Sequence, residues 1–433
     1  MTELHSSTDI VLPKGVKDFL PARAARIDYL RRTLLDLFHR WGFRLVLPAG
    51  LENLDVLERG LGPDLRQTAV RFDDRQSGRL VAVPPDITPQ IARIAATRMH
   101  ELPLPLRLCY SGRVLRHAEQ QMGKDREIYQ AGVELVGLHQ AEADAEMIAM
   151  TVEALETLGA REFTIDVGQV EFVRGIMNDL DLEQDQLARL RDHIRRKDAP
   201  GLRDLLEELP LPDRRKEELL ALPRLFGGRD VLEKAAAVVE STAARQALDN
   251  LYEVLATLET YRVDSWVLFD LGEIRGLDYH TGITFQAFLP GIGHAVCSGG
   301  RYDNLTARYG RRLPATGFTF NLLNLFFALE KELSAPALQR TDFLLFQQGR
   351  DKQKAQKIAA QLRRQGFSAA RDSYPRSLPE SLDYAKKMDY RYVMVIEEQS
   401  DQVELIRVDD EQKTSISVAD IETGKIGLAI QRS

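Results

Sequence analysis

Polar side chains that are costly to bury recur at even spacing in segments typical of β-strands. Residues 110–116 and 126–137 have the composition of two strands joined by a polar loop. Gln130 and Glu134 share parity, so both lie on one sheet face, and Arg116 can join them there. Placing an arginine, an amide and a carboxylate on one sheet face is unfavourable unless they bind a polar ligand. The pattern therefore predicts a polar ligand pocket, with an ordinary solvent-facing sheet as the alternative interpretation.

A proline-rich turn offers two more polar groups. Three prolines within residues 84–90 surround Asp86 and Thr88. Because proline fixes the φ angle, the turn is expected to be rigid. A carboxylate and a hydroxyl held in this way can bind an ammonium group, and the alternative interpretation is a solvated turn.

Two glycine-rich segments complete the candidate site. Residues 273–282 and 297–303 each contain glycines, which allow the backbone to approach a ligand closely. Tyr279 and His280, in the first segment, offer aromatic faces with polar tips. These segments therefore predict an aromatic wall for the pocket.

Taken together, these segments resemble the histidyl-tRNA synthetase superfamily, which has a class II synthetase fold. Residues 12–18 are similar to its opening segment, residues 275–279 (Arg-Gly-Leu-Asp-Tyr) resemble its histidine-binding signature, and residues 299–303 are similar to the strand that follows. The resemblance covers most of residues 10–330. It implies an α+β fold with an antiparallel sheet flanked by helices, a helical insertion, and a small C-terminal α/β domain that resembles an anticodon-binding domain.

The same resemblance implies a degenerate ATP site. Class II synthetases bind ATP with two arginines; the first matches Arg116, whereas Asn324 stands at the position of the second. After the first arginine, Ala118 replaces the acid that contacts adenine and Glu119 replaces an arginine, while Arg126 remains basic. A charge-assisted hydrogen bond to phosphate contributes roughly 1.5–3 kcal/mol. We therefore expect these changes to impair the use of ATP severely.

Three further signatures resemble the regulatory subunit of ATP phosphoribosyltransferase: residues 85–93, 130–134 and 279–282. This resemblance implies a non-catalytic subunit that binds L-histidine, needs no cofactor, and confers feedback control on the first step of histidine biosynthesis. The scattered histidines separately predict that there is no metal site. It implies a homodimer within a hetero-oligomer that includes a short-form catalytic phosphoribosyltransferase subunit, with no binding to tRNA or membranes. The histidine-binding residues that it implies are Asp86, Thr88, Arg116, Gln130, Glu134, Arg275, Tyr279 and His280.

Two other functions stay open at this point. An active histidine–tRNA ligase with unusual ATP contacts is favoured by Arg116, Arg126 and Arg275 and by the C-terminal domain. A synthetase-like protein that binds some other small ligand is the third hypothesis. Histidine-dependent exchange of labelled pyrophosphate into ATP separates the ligase from the regulatory subunit.

The composition is typical of a globular protein. The 433 residues are 44% hydrophobic and 28% charged, with a formal net charge of −7, which excludes a disordered or collagen-like chain and gives no electrostatic signal for RNA binding. No apolar run reaches ~18 residues, so no membrane span is predicted. The two cysteines, Cys109 and Cys297, are far apart, which favours a reducing compartment and argues against a cysteine metal site. With the polar N-terminus, this predicts a cytoplasmic protein.

Hydrophobic periodicity predicts the elements that must position these groups. In the core it indicates, in chain order, a helix at 22–41, a strand at 43–47, a helix at 141–158, strands at 163–167, 266–271, 284–288 and 294–297, and a buried helix within 314–330. Because the class II core usually dimerises through its first helix and strand, the resemblance also implies a dimer interface at residues 22–48.

Changes of composition along the chain predict its organisation. The predicted segments are the first part of a synthetase-like core at 1–179, a helical insertion at 180–262, the second part of the core at 263–331, and a C-terminal α/β domain at 342–433. The insertion is rich in Leu, Glu, Arg and Lys, with breaks near 210–212 and 227–228, and residues 332–341 are the predicted linker. Strands and helices alternate in the C-terminal segment, as in a small α/β domain.

Overall fold

The computed structural model describes residues 11–117, 125–178, 180–274, 279–330, 340–347 and 352–426. The chain forms two compact units, Met1–Leu333 and Ser334–Ser433. No helix among the described residues is long and apolar enough to cross a membrane.

The first unit contains both strands and helices. Its strands are β1 (Arg44–Leu45), β2 (Glu52–Asn53), β3 (Val70–Asp73), β4 (Leu80–Val83), β5 (Leu106–Leu115), β6 (Glu127–Val136), β7 (Thr164–Gln169), β8 (Phe226–Gly227), β9 (Val267–Asp270), β10 (Ile283–Phe288), β11 (Cys297–Arg301) and β12 (Ala315–Asn321). Its helices are α1 (Pro21–Arg40), α2 (Leu54–Leu57), α3 (Pro63–Thr68), α4 (Thr88–Thr97), α5 (Ala141–Thr157), α6 (Val170–Met177), α7 (Gln184–Arg195), α8 (Ala199–Glu208), α9 (Asp213–Ala221), α10 (Asp230–Val238), α11 (Thr242–Tyr261) and α12 (Leu322–Ala328).

A mixed sheet forms the centre of this unit. Among the described residues its nine strands lie in the order β1-β5-β6-β12-β11-β10-β7-β9-β8. The strands from β5 to β7 in this order pair antiparallel, whereas β1 with β5 and β7 with β9 pair parallel. The predicted antiparallel sheet is therefore found in the central strands, and parallel pairs lie toward both edges. A smaller sheet has the order β2-β4-β3.

The two faces of the large sheet differ in chemistry, because successive side chains of a strand point to opposite faces. On one face Val133 of β6 pairs with Phe318 of β12, and Phe38 of α1 packs edge-on against Phe318 with ring centroids 5.7 Å apart. On the other face Glu134 of β6 lies opposite Gly317 of β12. Helix α1 thus covers the first face, whereas on the Glu134 face helix α4 packs against Leu108 and Tyr110 of β5, next to the polar groups of β6.

The first helix follows the sequence pattern closely. α1 matches the predicted 22–41 helix, and Ile27, Leu30 and Leu34 on its inner face are buried. The helix ends before Gly42, whose φ of +84° is one that glycine adopts without strain. This helix holds strands β5 and β6 in place from the apolar side.

Two predictions in the core were wrong in detail. The strand expected at 294–297 is β11, which begins only at Cys297 and continues through Gly299 and Gly300 to Arg301. A Cβ atom on Gly299 would overlap the Phe285 ring, so glycine is what permits this close strand packing. The apolar run expected to form a helix within 314–330 is first a buried strand, β12, and only then helix α12. A fully buried strand lacks the alternation that would have identified it.

The helical insertion is present as α7 to α11. The predicted break near 210–212 lies between α8 and α9, and the break near 227–228 coincides with the short strand β8. This strand pairs antiparallel with β9. The insertion therefore contributes an edge strand to the large sheet, which its composition did not predict.

The second unit is a small α/β sheet. Its elements are β13 (Thr341–Gln347), α13 (Gln353–Arg364), β14 (Ala369–Arg371), α14 (Leu378–Lys387), β15 (Tyr390–Ile396), β16 (Gln402–Arg407), β17 (Lys413–Ser417) and α15 (Val418–Glu422). The described strands lie in the order β14-β13-β15-β16-β17. Separate apolar clusters pack against α13 on one face and α14 on the other. Most of the predicted linker at 332–341 lies outside the described residues.

Candidate functional site

A buried carboxylate forms the centre of the polar face. Glu134 is 1% exposed, and its two carboxylate oxygens accept hydrogen bonds from the hydroxyls of Tyr110, at 3.2 Å, and Tyr302. Burial raises the pKa of Glu134 to about 8. A Cβ atom at position 317 would overlap the Glu134 carboxylate. Glycine at that position therefore makes room for the acid.

A cavity of about 130 Å³ opens above this carboxylate. Its lining brings together side chains from the proline-rich turn, the central strands and the glycine-rich segments. These residues are Asp86, Thr88, Glu134, Tyr279, His280, Ser298, Gly299, Gly300, Tyr302, Gly317, Phe318 and Thr319. Five of the residues implied by the resemblance thus line one cavity.

The proline-rich turn is fastened to the sheet by Gln130. The Gln130 side-chain oxygen accepts a hydrogen bond from the Ile87 backbone N–H at 3.2 Å. Within the turn, the Thr88 backbone N–H donates to Asp86 Oδ1 at 3.1 Å, and the Thr88 hydroxyl lies 3.4 Å from the hydroxyl of Tyr110. The turn is therefore rigid, as its prolines predict, and it holds an acid and a hydroxyl at the cavity.

Arg116 is fixed beside the same turn. Its Nε donates to the Pro85 carbonyl oxygen at 2.8 Å, and its Nη2 lies 3.7 Å from Asp86 Oδ2. The guanidinium group is half-buried. A cation and an anion are thus adjacent at the cavity's edge, which is the pairing that the carboxylate and ammonium of an amino acid require.

Tyr279 and His280 form the predicted aromatic wall. The Tyr279 ring lies 5.7 Å from the Tyr302 ring and 5.0 Å from the His280 ring. His280 Nδ1 is 3.2 Å from the Arg301 carbonyl oxygen, so Nδ1 must carry the proton and Nε2 is an acceptor. Burial lowers the pKa of His280 to about 4, and the ring is neutral at physiological pH.

A buried ion pair fixes the residue whose backbone carbonyl holds His280. Arg301 donates to Asp144 Oδ2 at 2.9 Å, and both residues are buried. Arg301 also donates to the backbone carbonyls of Leu138 and Gln140. Because the Arg301 carbonyl holds His280, this network sets the position of the imidazole.

Two of the predicted ATP-site residues, Ala118 and Glu119, lie outside the described residues, and so does Arg275 of the implied histidine-binding set. Asn324 is described: its side-chain amide donates to the Ala295 carbonyl oxygen at 2.9 Å. For Arg126, the backbone N–H donates to the Gly15 carbonyl and its own carbonyl accepts from the Arg116 N–H, which anchors the N-terminal segment.

Several pocket residues were not predicted. Tyr110 and Tyr302, which bond to Glu134, and Thr319, which lines the cavity, were not among the expected ligand residues. Tyr110 could have been found from the parity argument, because it pairs with Gly132 on the same sheet face as Glu134. Tyr302 lies just beyond a strand, where parity carries no information.

A second cavity, of about 210 Å³, adjoins the first and shares His280 with it. Its wall includes the carboxylates of Asp166, Asp270 and Glu273. The ammonium group of Lys197, from the helical insertion, lies 2.6 Å from Asp270 Oδ2. The described residues contain no group of three or more His, Cys, Asp or Glu arranged to hold a metal ion.

Two family profiles match the chain. One is described as "Histidyl-tRNA synthetase" and matches residues 15–325. The other is described as "Anticodon binding domain" and matches residues 343–424.

Curated relatives match over almost the whole length. A protein from Syntrophotalea carbinolica, named ATP phosphoribosyltransferase regulatory subunit, is 58% identical over 420 residues, which is 97% of this chain and 98% of the relative. A protein of the same name from Geobacter sulfurreducens is 53% identical over 420 residues, or 96% of each chain.

Solved structures share the fold. An "ATP phosphoribosyltransferase regulatory subunit/histidyl-tRNA synthetase" from Bacillus halodurans has a TM-score of 0.77 and 27% identity, and covers 91% of this chain and 100% of that one. Histidyl-tRNA synthetase from Nostoc sp. PCC 7120 has a TM-score of 0.78 at 20% identity, and covers 97% and 100%; this likeness shows the fold alone. The predicted class II synthetase-like fold with its C-terminal domain is thereby confirmed.

Proposed function

This chain belongs to the family of ATP phosphoribosyltransferase regulatory subunits, and we propose that it binds free L-histidine without activating it. In this proposal the bound histidine changes the activity of a separate short-form catalytic phosphoribosyltransferase subunit. The result is feedback control of the first step of histidine biosynthesis.

The observation that carries the proposal is the environment of Glu134. A carboxyl group with a pKa of about 8 faces a small cavity walled by Tyr279 and Tyr302. An imidazole, whose ordinary pKa is ~6.5, matches this acid: near neutral pH one proton lies between the two groups, and the hydrogen bond becomes charge-assisted. An amino acid with an aliphatic side chain could not hydrogen-bond to Glu134, so the buried carboxyl group would gain no partner from such a ligand.

The backbone groups of histidine have matching partners at the cavity's edge. Asp86 and the Thr88 hydroxyl supply acceptors for the α-ammonium group, and Arg116 supplies a cation for the α-carboxylate. Gln130 acts by holding the turn and His280 by forming the wall. Arg275, implied by the resemblance alone, completes the proposed set.

The residue types in the proposed degenerate ATP site support the proposal that this chain does not form the adenylate. Asn324 has a short, neutral side chain that is already bonded to the Ala295 carbonyl, so it offers no cation to a triphosphate. Ala118 and Glu119 likewise lack the groups that the synthetase pattern places there. Losing one donor that stabilises transition-state charge reduces rate on the order of 10²–10³-fold.

The regulatory effect is proposed to work by linkage. Histidine that binds more tightly to one state of the assembly shifts the population toward that state, and coupling of ~1–3 kcal/mol is typical. We further propose that the chain is a cytoplasmic homodimer, with residues 22–48 in the interface, and that its C-terminal unit no longer serves tRNA.

Three measurements on the full-length protein test the proposal. Isothermal titration calorimetry is expected to show stoichiometric L-histidine binding, and histidine-dependent exchange of pyrophosphate into ATP is expected to be undetectable beside an active histidyl-tRNA synthetase. Adding the protein to its short-form catalytic subunit is expected to change the phosphoribosyltransferase rate in a histidine-sensitive manner. Robust exchange would overturn the proposal.

An active histidine–tRNA ligase is the second candidate. It is favoured by the match of residues 343–424 to an anticodon-binding domain and by the presence of Arg116 beside Asp86, which lines the cavity. The same exchange assay decides between the two functions, because a ligase must form the adenylate and a regulatory subunit need not.

A further inference from the structure

Four arginines form a cationic patch on a chain whose formal net charge is −7. This arginine patch consists of Arg59, Arg308, Arg311 and Arg312, from the segment after α2 and from the short 3-10 helix Thr306–Tyr309 and the residues that follow it. Three of the four are exposed and Arg311 is half-buried. Arg308, Arg311 and Arg312 are close in sequence, and Arg308 bonds to the backbone of Arg59, which brings the two segments together.

The hydrogen bonds of the patch go to neutral oxygens. The pairs are Arg308 Nη1 to Arg59 O at 3.2 Å, Arg311 Nη1 to His100 O at 2.6 Å, and Arg312 Nη2 to Asn304 Oδ1 at 2.7 Å. None of these arginines is paired with a carboxylate of the described residues. Carbonyl acceptors hold the side chains in place and leave their positive charge uncompensated, so less rotamer entropy remains to be lost when a partner binds.

The patch lies next to the candidate pocket. Arg308 and Asn304 line a cavity of about 310 Å³, and the same cavity is lined by Tyr279 and His280. Those two aromatic residues also line the cavity above Glu134. A protein that covers the patch would therefore be separated from a ligand at Glu134 by the side chains of Tyr279 and His280.

We propose that the arginine patch docks an acidic surface of the catalytic phosphoribosyltransferase subunit, an inference that rests on the proposed function. Such an arrangement lets histidine at Glu134 alter partner contacts through Tyr279 and His280. A protein is favoured over RNA because the cationic cluster is small and the net charge of the chain is negative, which opposes binding of a long polyanion. A few arginines are enough to steer and orient a partner protein that carries a matching acidic patch.

A double charge reversal tests the proposal. Arg308→Glu combined with Arg312→Glu is expected to weaken the affinity for the catalytic subunit at least tenfold at low ionic strength in biolayer interferometry, and the difference is expected to shrink in high salt. The matched control is Arg191→Glu combined with Arg203→Glu, two exposed arginines of α7 and α8. The control is expected to bind as the wild type does.

The outcomes separate this inference from the proposed function. Unchanged L-histidine affinity in calorimetry, with reduced partner affinity, supports the patch. Equal partner affinity in both double variants overturns the inference. It is also overturned if the patch variant binds a single-stranded RNA oligonucleotide more weakly than the wild type does while its affinity for the catalytic subunit is unchanged. If the patch variant fails to fold, Arg312→Gln replaces it, with an expected severalfold loss. A wild-type protein that neither binds nor modulates the catalytic subunit would instead refute the proposed function.

Discussion

The hydroxyl of Tyr302 donates a hydrogen bond to the carboxylate of Glu134, although the two residues lie 168 positions apart. Strand β12 lies between β6, which carries Glu134, and β11, which ends next to Tyr302. Gly317 of β12 has no side chain that would overlap the Glu134 carboxylate. The helical insertion falls between the two residues in the sequence. The central acceptor of the pocket is therefore organised only when both parts of the core are packed together.

Glu134→Gln is expected to weaken L-histidine binding about 10- to 100-fold. Glutamine keeps the size of the side chain but can neither share a proton with imidazole nor carry charge, so the variant loses a charge-assisted hydrogen bond of roughly 1.5–3 kcal/mol. Isothermal titration calorimetry near pH 7 measures the change.

The matched control for this variant is Glu156→Gln, at an exposed position of α5. Its histidine affinity is expected to equal that of the wild type. If Glu134→Gln also bound histidine normally, Glu134 would be removed from the proposed site.

The same acid is expected to make stability depend on pH. Burial raises the pKa of Glu134 to about 8, whereas an unfolded glutamate has a pKa of ~4.3. Below the unfolded value both states are protonated and the folded state carries no penalty. As pH rises from there toward 8, the unfolded state loses its proton first, and up to about 1.4 kcal/mol of stability is lost per pH unit.

Comparing wild type with Glu134→Gln isolates this effect. Urea unfolding at several pH values is expected to show that the variant gains stability relative to wild type between about pH 5 and pH 8. Stability curves that run parallel over this range would contradict the assigned environment of Glu134.

Gly317→Ala is expected to destabilise the protein by about 1–3 kcal/mol, as overpacking does, and to abolish histidine binding. The new Cβ would overlap both the Glu134 carboxylate and the Val133 carbonyl oxygen of the neighbouring strand, and the backbone oxygen has no room to move. Gly293→Ala is the control, because a Cβ there meets nothing within 4 Å. Thermal unfolding and calorimetry measure the two effects; unaltered binding by Gly317→Ala would argue against the cavity as the site.

Asp144→Asn is expected to lower the free energy of unfolding by about 3 kcal/mol, because it removes the fully buried one of the two carboxylates that pair with the buried Arg301 guanidinium and leaves only the partly exposed Asp303. The control is Asp230→Asn, which removes an exposed ion pair with Lys234 and is expected to cost no more than about 1 kcal/mol. Denaturant unfolding distinguishes the two. Similar values for both variants would show that the Arg301 network does not support the pocket wall.

The sequence pattern predicted those features of the site that depend only on residues close together in the chain. Gln130 and Glu134 were placed on one face because strand alternation acts over adjacent residues, and the stiffness of the turn at Asp86 followed from its prolines. Tyr110 was within reach of the same argument, because it shares parity with Arg116 in the predicted strand. Tyr302 lies 168 positions from Glu134, and nothing near it in the sequence encodes their contact.

The errors in the fold have the same origin. The strand expected at 294–297 begins only at Cys297 and continues through Gly299 and Gly300, where neighbouring strands approach closely. The helix expected within 314–330 is α12, and the buried strand β12 precedes it in the same apolar run, where burial on both faces hides the strand pattern. In both cases tertiary packing, which a single sequence does not display, determined the element.

The short strand β8 has a mechanical consequence for the helical insertion. Its two-residue pairing covers part of the outer edge of β9, and Lys197 bonds to Asp270 at the end of β9. A hinge motion that lifted the insertion away would uncover backbone donors and acceptors on a strand edge, which invites aggregation. The strand pairing and the ion pair therefore both oppose a hinge motion of the insertion away from the sheet.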